Sequence, residues 1–194
     1  MMKYYKFEVY HNDSYLLEVS KVDRYKYITC STCKMILDKR NLIEKHLPTY
    51  TIKRKKYHLS GSYDGFKVVS QEFKDLYEVS HWQGLVFYPI PKNKGFYLVE
   101  CSQQVVINET KRPIEFENKC NECGLYMGVY GSVPSYMDAD VIQKLKPNTF
   151  YRSNLEFGYD FEQGYSLFAS QEITDKLIEH KLIIKKDLIE VLCI

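Results

Sequence analysis

Four cysteines carry the clearest chemistry in this sequence. Cys30-Ser31-Thr32-Cys33 and Cys120-Asn121-Glu122-Cys123-Gly124 each set two thiols at the spacing that lets adjacent backbone amides fold around one metal ion. Gly124 suits the tight, left-handed turn that ends such a knuckle. Two knuckles complete a tetrahedral set, so Cys30, Cys33, Cys120 and Cys123 are expected to hold one Zn²⁺. Four thiolates leave no open position for water, and the expected role is structural. The 86 residues between Cys33 and Cys120 far exceed the ~15–20 of a compact zinc ribbon, which favours a clamp between distant parts of the chain. Two disulfides, or one redox-active pair of the thioredoxin type, are rival uses of the same residues.

Other chemistry is thin. Cys101 and Cys193 stand alone in apolar or strand-like surroundings, the setting of inert buried cysteine. His11, His46, His58, His81 and His180 are scattered without HxxxH or HxH spacing. None of the nine glycines falls in a phosphate-binding pattern, so no enzyme is indicated. Trp82, the only tryptophan, reads as support for the strand that follows it, with a partner anchor as the rival. Lys53-Arg54-Lys55-Lys56 is read as a solvated strand face or loop, because only alternate side chains of an extended segment share a face.

The elements that must position these residues form a mixed pattern. Strand-like stretches at Tyr5 to Tyr10 and Tyr15 to Val19, joined by the polar His11-Asn12-Asp13-Ser14, predict an N-terminal hairpin. Met35 to His46 is expected to be helical with Pro48 as its stop, and Tyr50 to Leu59 strand-like, closed by Ser60-Gly61-Ser62. Tyr136 to Leu145 is expected to form a short helix ended by Pro147, Ile173 to His180 a helix, and Leu188 to Ile194 a strand. The predicted class is α+β: mixed sheets with few short helices, in two pseudo-repeated halves clamped by a structural zinc.

The halves are suggested by Ser70-Gln71-Glu72 and Ser170-Gln171-Glu172, which lie 100 residues apart. In both, an apolar run leads into Ser and then a helical pattern. Ser70 and Ser170 are natural N-caps, with Glu72 and Glu172 in the first turn where the helix dipole favours negative charge. Each Cys pair precedes its Ser-Gln-Glu, by 40 residues in the first case and 50 in the second. The 194 residues thus read as one domain with an internal duplication, about 1–95 and 96–194.

Bulk properties narrow the role. With 27 basic and 25 acidic residues the net charge is +2, too small for an electrostatic footprint on a polyanion. No stretch has the apolar length of a membrane span or of a signal-peptide core, so a cytoplasmic protein without membrane partners is expected. Eighteen Tyr and ten Phe reflect strand preference first, although aromatic residues are also enriched at interfaces.

Cys30-x-x-Cys33, Cys120-x-x-Cys123-Gly124 and an apolar strand running into Ser-Gln-Glu together resemble the double-CXXCG motif proteins, a bacterial family associated with immunity to polymorphic contact-dependent toxins. The likeness spans about Cys30 to Asp175, with one departure: Lys34 stands where the family has Gly. The resemblance implies a cytoplasmic immunity protein, not an enzyme, that neutralises a cognate protein toxin by direct stoichiometric binding on a zinc-held scaffold. A zinc-containing nucleic-acid-binding or regulatory protein, leaning on Lys53 to Lys56, is the alternative.

Overall fold

The computed structural model describes residues 2–17, 29–111 and 113–194. Its strands are β1 (Tyr4–Phe7), β2 (Tyr10–His11), β3 (Leu59–Gly61), β4 (Lys67–Ser70), β5 (Leu85–Pro89), β6 (Phe96–Cys101) and β7 (Gln104–Val105). They continue as β8 (Glu115–Lys119), β9 (Tyr126–Tyr130), β10 (Tyr136–Met137), β11 (Tyr151–Tyr159), β12 (Gly164–Ser170), β13 (Leu188–Glu190) and β14 (Leu192–Cys193). Among the described residues four short helices accompany them, α1 (Ile43–His46), α2 (Gln71–Val79), α3 (Ala139–Lys144) and α4 (Gln171–Glu179). The class is α+β with several sheets, as the sequence predicts.

One sheet runs β13-β1-β12-β11-β9-β8, with β7 added on β11. A second runs β2-β3-β4-β6-β5, and β10 pairs with β14 apart from both. Val69 of β4, Leu167 of β12, Phe73 of α2 and Ile173 of α4 meet in one apolar core shared by the two sheets. The opposite faces are covered as well. Val68 and Leu98 pack under Leu16, Leu17, Leu42 and Ile52, whereas Phe168 packs with Tyr4, Met137 and Ile142. Burial on both faces explains why Val68-Val69 and Leu167-Phe168-Ala169, which lead into the two Ser-Gln-Glu segments, are apolar at successive positions instead of alternating.

The two Ser-Gln-Glu segments have the same local structure. Ser70 Oγ accepts the Phe73 amide and Ser170 Oγ accepts the Ile173 amide, each at 3.3 Å. Both helices span nine residues and end alike. His81 (φ 54°) and Lys181 (φ 58°) are left-handed, while Trp82 donates to the Tyr77 carbonyl and Leu182 to that of Leu177. These are Schellman ends, in which the side chain after the left-handed residue packs back on the helix. The pairings match too: β4 lies between β3 and β6, with β5 beyond β6, and β12 lies between β11 and β1, with β13 beyond β1, all antiparallel. Gly95 and Lys3, each just before the third strand, accept the amides of Gln71 and Gln171. In the first case that strand is β6, which follows β5 in the chain; in the second it is β1, from the start of the chain. An internal duplication is the proposal these correspondences support.

Several local expectations are corrected. Among the described residues β1 makes no hairpin with those after Ser14; it pairs with β12 and β13. Leu16 and Leu17 are both buried, and the Asp64 carboxylate accepts their amides at 3.3 and 2.7 Å, so this stretch is tied down by a side chain rather than by a sheet. Val19 lies outside the described residues. The helix expected over Met35 to His46 starts late: Ile36 pairs with Thr29, and the Asp38 carboxylate accepts the amides of Arg40 and Asn41, opening a 3-10 turn that leads into α1. Pro48 sits in the 3-10 turn Leu47–Thr49 beyond it. Of Tyr50 to Leu59 only Leu59 is in a strand, since Lys53, Arg54, Lys55 and Lys56 are exposed one after another and cannot alternate between two faces. Ser60 and Gly61 belong to β3 instead of closing it.

Further on, Tyr136 and Met137 form β10, and the helix begins only at Ala139. The terminal strand divides at buried Val191 into β13 and β14, which join different sheets. Trp82 is in the core, with Tyr77 and Phe150 at ring-centroid distances of 6.4 and 5.8 Å.

Candidate metal centre

The first knuckle follows Thr29, and the second is the loop joining β8 to β9. Their backbones correspond residue by residue. The Lys34 amide donates to the Cys30 carbonyl at 3.0 Å and that of Cys30 to Met35 at 2.9 Å; Gly124 donates to Cys120 at 2.9 Å and Cys120 to Leu125 at 2.8 Å. Lys34 (φ 66°) and Gly124 (φ 75°) occupy the same left-handed position. The lysine that departs from the motif therefore takes the glycine conformation, at a steric cost a Cβ cannot avoid.

The four sulfurs converge within 4.8 Å of one another. Cys30 Sγ is 3.7 Å from Cys120 Sγ, and Cys33 Sγ 3.6 Å from Cys123 Sγ. Tetrahedral coordination with metal–sulfur bonds of about 2.3 Å places sulfurs roughly 3.8 Å apart, which these separations fit. All six cysteines are free. The site could therefore hold a metal ion, and the residues that would hold it are those named from the sequence.

Electrostatics agree with a cation-requiring donor set. The amides of Cys123 and Glu122 point at Cys120 and hold its thiol down to about 6, whereas desolvation pushes Cys33 up to about 12. Four thiolates this close repel one another unless a cation lies among them. When bound, such an ion would supply charge neutralisation and a cross-link, not a reaction centre.

One part of the site was not anticipated. Ser31 Oγ donates to both Glu122 carboxylate oxygens at 2.7 and 2.8 Å, and Thr32 Oγ1 donates to the same group. These bonds hold the Glu122 carboxyl below its ordinary range. The hydroxyls lie between the cysteines of one knuckle and the acceptor between those of the other, a complementarity visible in the sequence once the knuckles are paired. A cleft of about 660 Å³ runs beside the site, lined by Leu37, Phe116 and Leu125 together with Arg152 and Glu156.

The remaining candidates stay apart from this centre. Cys101 is buried and donates to the Phe150 carbonyl at 3.4 Å, and burial lifts its thiol to about 12, which removes it as a nucleophile. Cys193 is exposed on β14. His58 is hydrogen-bonded to the capping Ser70 at 2.8 Å. Among the described residues no helix is long and apolar enough to cross a membrane.

No family model and no curated protein matches this chain. The fold and the site define an α+β protein with a four-cysteine centre able to hold a metal ion, built where the loop from Thr29 to Thr49 meets the β8–β9 hairpin.

Proposed function

We propose that this chain is a cytoplasmic immunity protein that neutralises a cognate bacterial toxin by stoichiometric binding, with Zn²⁺ at Cys30, Cys33, Cys120 and Cys123 as a structural staple. The observation that supports it best is the pair of matching knuckles converging on one four-sulfur centre, since the same residues carry the resemblance to the double-CXXCG motif proteins. A closed thiolate site offers a bound metal no vacancy for substrate, which suits binding without turnover. Metal binding there would fix the β8–β9 hairpin against the first knuckle, and a preorganised surface loses less entropy when a partner docks.

Co-expression with the product of the adjacent gene tests the reading. Restored growth together with a fixed-stoichiometry complex is the expected result. A folded, metal-loaded chain that neither binds nor protects would sink it. The alternative of a zinc-containing nucleic-acid-binding or regulatory protein is favoured by one observation, the uninterrupted exposure of Lys53 to Lys56. Its mark would be affinity for oligonucleotides that falls steeply with salt.

A further inference from the structure

A second concave site lies away from the metal centre, where β1 and β2, the segment before β3 and the loop after α4 come together. It encloses about 300 Å³, with Phe7, Leu59 and Leu182 among its apolar walls and Lys56, Lys181 and Lys186 around it. These lysines come from stretches more than a hundred residues apart. Lys53 and Lys55 lie next to the first in the sequence and Lys185 next to the last, while Arg54 is paired with Asp13 at 2.6 Å. The acidic groups in the lining are Glu8 and Asp187, and the Asp187 carboxylate accepts the Ile184 amide at 3.0 Å. Cations thus gather on this face of a chain whose overall charge is only +2.

The aromatic residues here are arranged to hold the lysines. Tyr10 and Tyr57 stack with centroids 5.0 Å apart and planes 12° from parallel. Lys56 Nζ lies 4.8 Å from the Tyr57 centroid and Lys186 Nζ 5.9 Å from that of Tyr10. This is a lysine–tyrosine–tyrosine–lysine stack, which fixes two ammonium groups without neutralising them. The ring faces are taken by each other and by lysines, so they do not form the open platform on which unpaired nucleobases stack. A hollow at the small end of ligand-pocket volumes takes one large side chain.

We infer that this surface docks an acidic segment of a protein partner, with one aromatic or large aliphatic side chain in the hollow and flanking carboxylates on Lys56, Lys181 and Lys186. The inference deepens the proposed function, resting on the reading of the chain as a binding protein and assigning a contact face. An apolar anchor in a pocket with charged groups at its rim is the usual division between affinity and steering.

The test uses the full metal-loaded chain and labelled probes followed by fluorescence anisotropy. They are an acidic heptapeptide of Asp and Glu with one central Phe, the same peptide with Ala replacing Phe, and a twelve-residue oligothymidylate. The Phe peptide is expected to bind about tenfold more tightly than the Ala peptide and to weaken several-fold when salt rises from about 50 to 300 mM. Binding should be lost in the Lys56→Glu/Lys186→Glu variant, with metal content and near-ultraviolet dichroism unchanged. A milder Lys56→Gln/Lys186→Gln variant, expected to lose about tenfold, serves if the first does not fold. Equal binding of the two peptides, retention in the glutamine variant, no peptide binding, or tighter binding of the oligothymidylate would each overturn the inference. None of the three probes is a toxin, so this result and the co-expression result fail independently.

Discussion

Lys34 allows a test of the knuckle geometry with no change in any sulfur ligand. Its φ of 66° matches the 75° of Gly124 in the other knuckle, and the two residues donate to equivalent cysteine carbonyls. An L-residue in this region loses about 1–2 kcal/mol to the clash of Cβ with the following carbonyl. Replacing it with glycine removes that clash and adds about 0.5–1 kcal/mol of backbone entropy to the unfolded chain. Lys34→Gly should therefore stabilise the protein by about 0.5–1 kcal/mol, a rise in Tm of roughly 1–4 °C for a chain of this size. The converse change has a matching expectation. A Cβ on Gly124 would meet nothing within 4 Å, so Gly124→Ala carries only the conformational cost and should destabilise by about 1 kcal/mol. Urea unfolding with metal held in excess measures both, and chelator competition should rank metal retention in the same order. If Lys34→Gly were destabilising while Gly124→Ala were neutral, the equivalence of the two knuckles would be refuted.

Metal analysis of protein purified without added metal should give one zinc per chain, and stripping the ion should destabilise the fold by several kcal/mol or prevent folding, seen as a large fall in Tm. Ser70→Ala and Ser170→Ala should each cost about 0.5–2 kcal/mol in urea unfolding, because each hydroxyl accepts an amide of its helix's first turn. Burial pushes the Lys67 ammonium down to about 8 from its ordinary 10.5. Both states bind the proton below pH 8, so the penalty is fully present there and is relieved as pH rises from about 8 to 10.5. Relative to a Lys67→Met variant, the native chain should gain about 2–3 kcal/mol over that window in pH-dependent urea unfolding, and parallel profiles would reject the buried-charge assignment.

The parts of this protein legible in its sequence are those whose chemistry is local. A CxxC knuckle needs only its own amides and a left-handed residue to close it, so Cys30, Cys33, Cys120 and Cys123 could be paired before any fold was known. Ser70 and Ser170 were equally readable, because a cap satisfies amides within three residues of itself. What tertiary structure decided was each long-range pairing and each segment with no periodicity of its own. Nothing near Tyr4 states that its strand joins β12, more than 150 residues away, to fill the place that β6 fills in the other unit. Leu16 and Leu17 follow the Asp64 carboxylate and the apolar face of Val68 and Leu98, which no strand pattern near Tyr15 states, and the helix expected from Met35 is delayed to Ile43, where Leu42 and Ile43 reach the same apolar face. Lys56, at the end of the basic run, reads as plain solvated charge until Lys181 and Lys186 are brought to the same hollow. Local hydrogen bonds are encoded within a few residues, whereas the meeting of distant side chains depends on which apolar surfaces the whole chain can bury together.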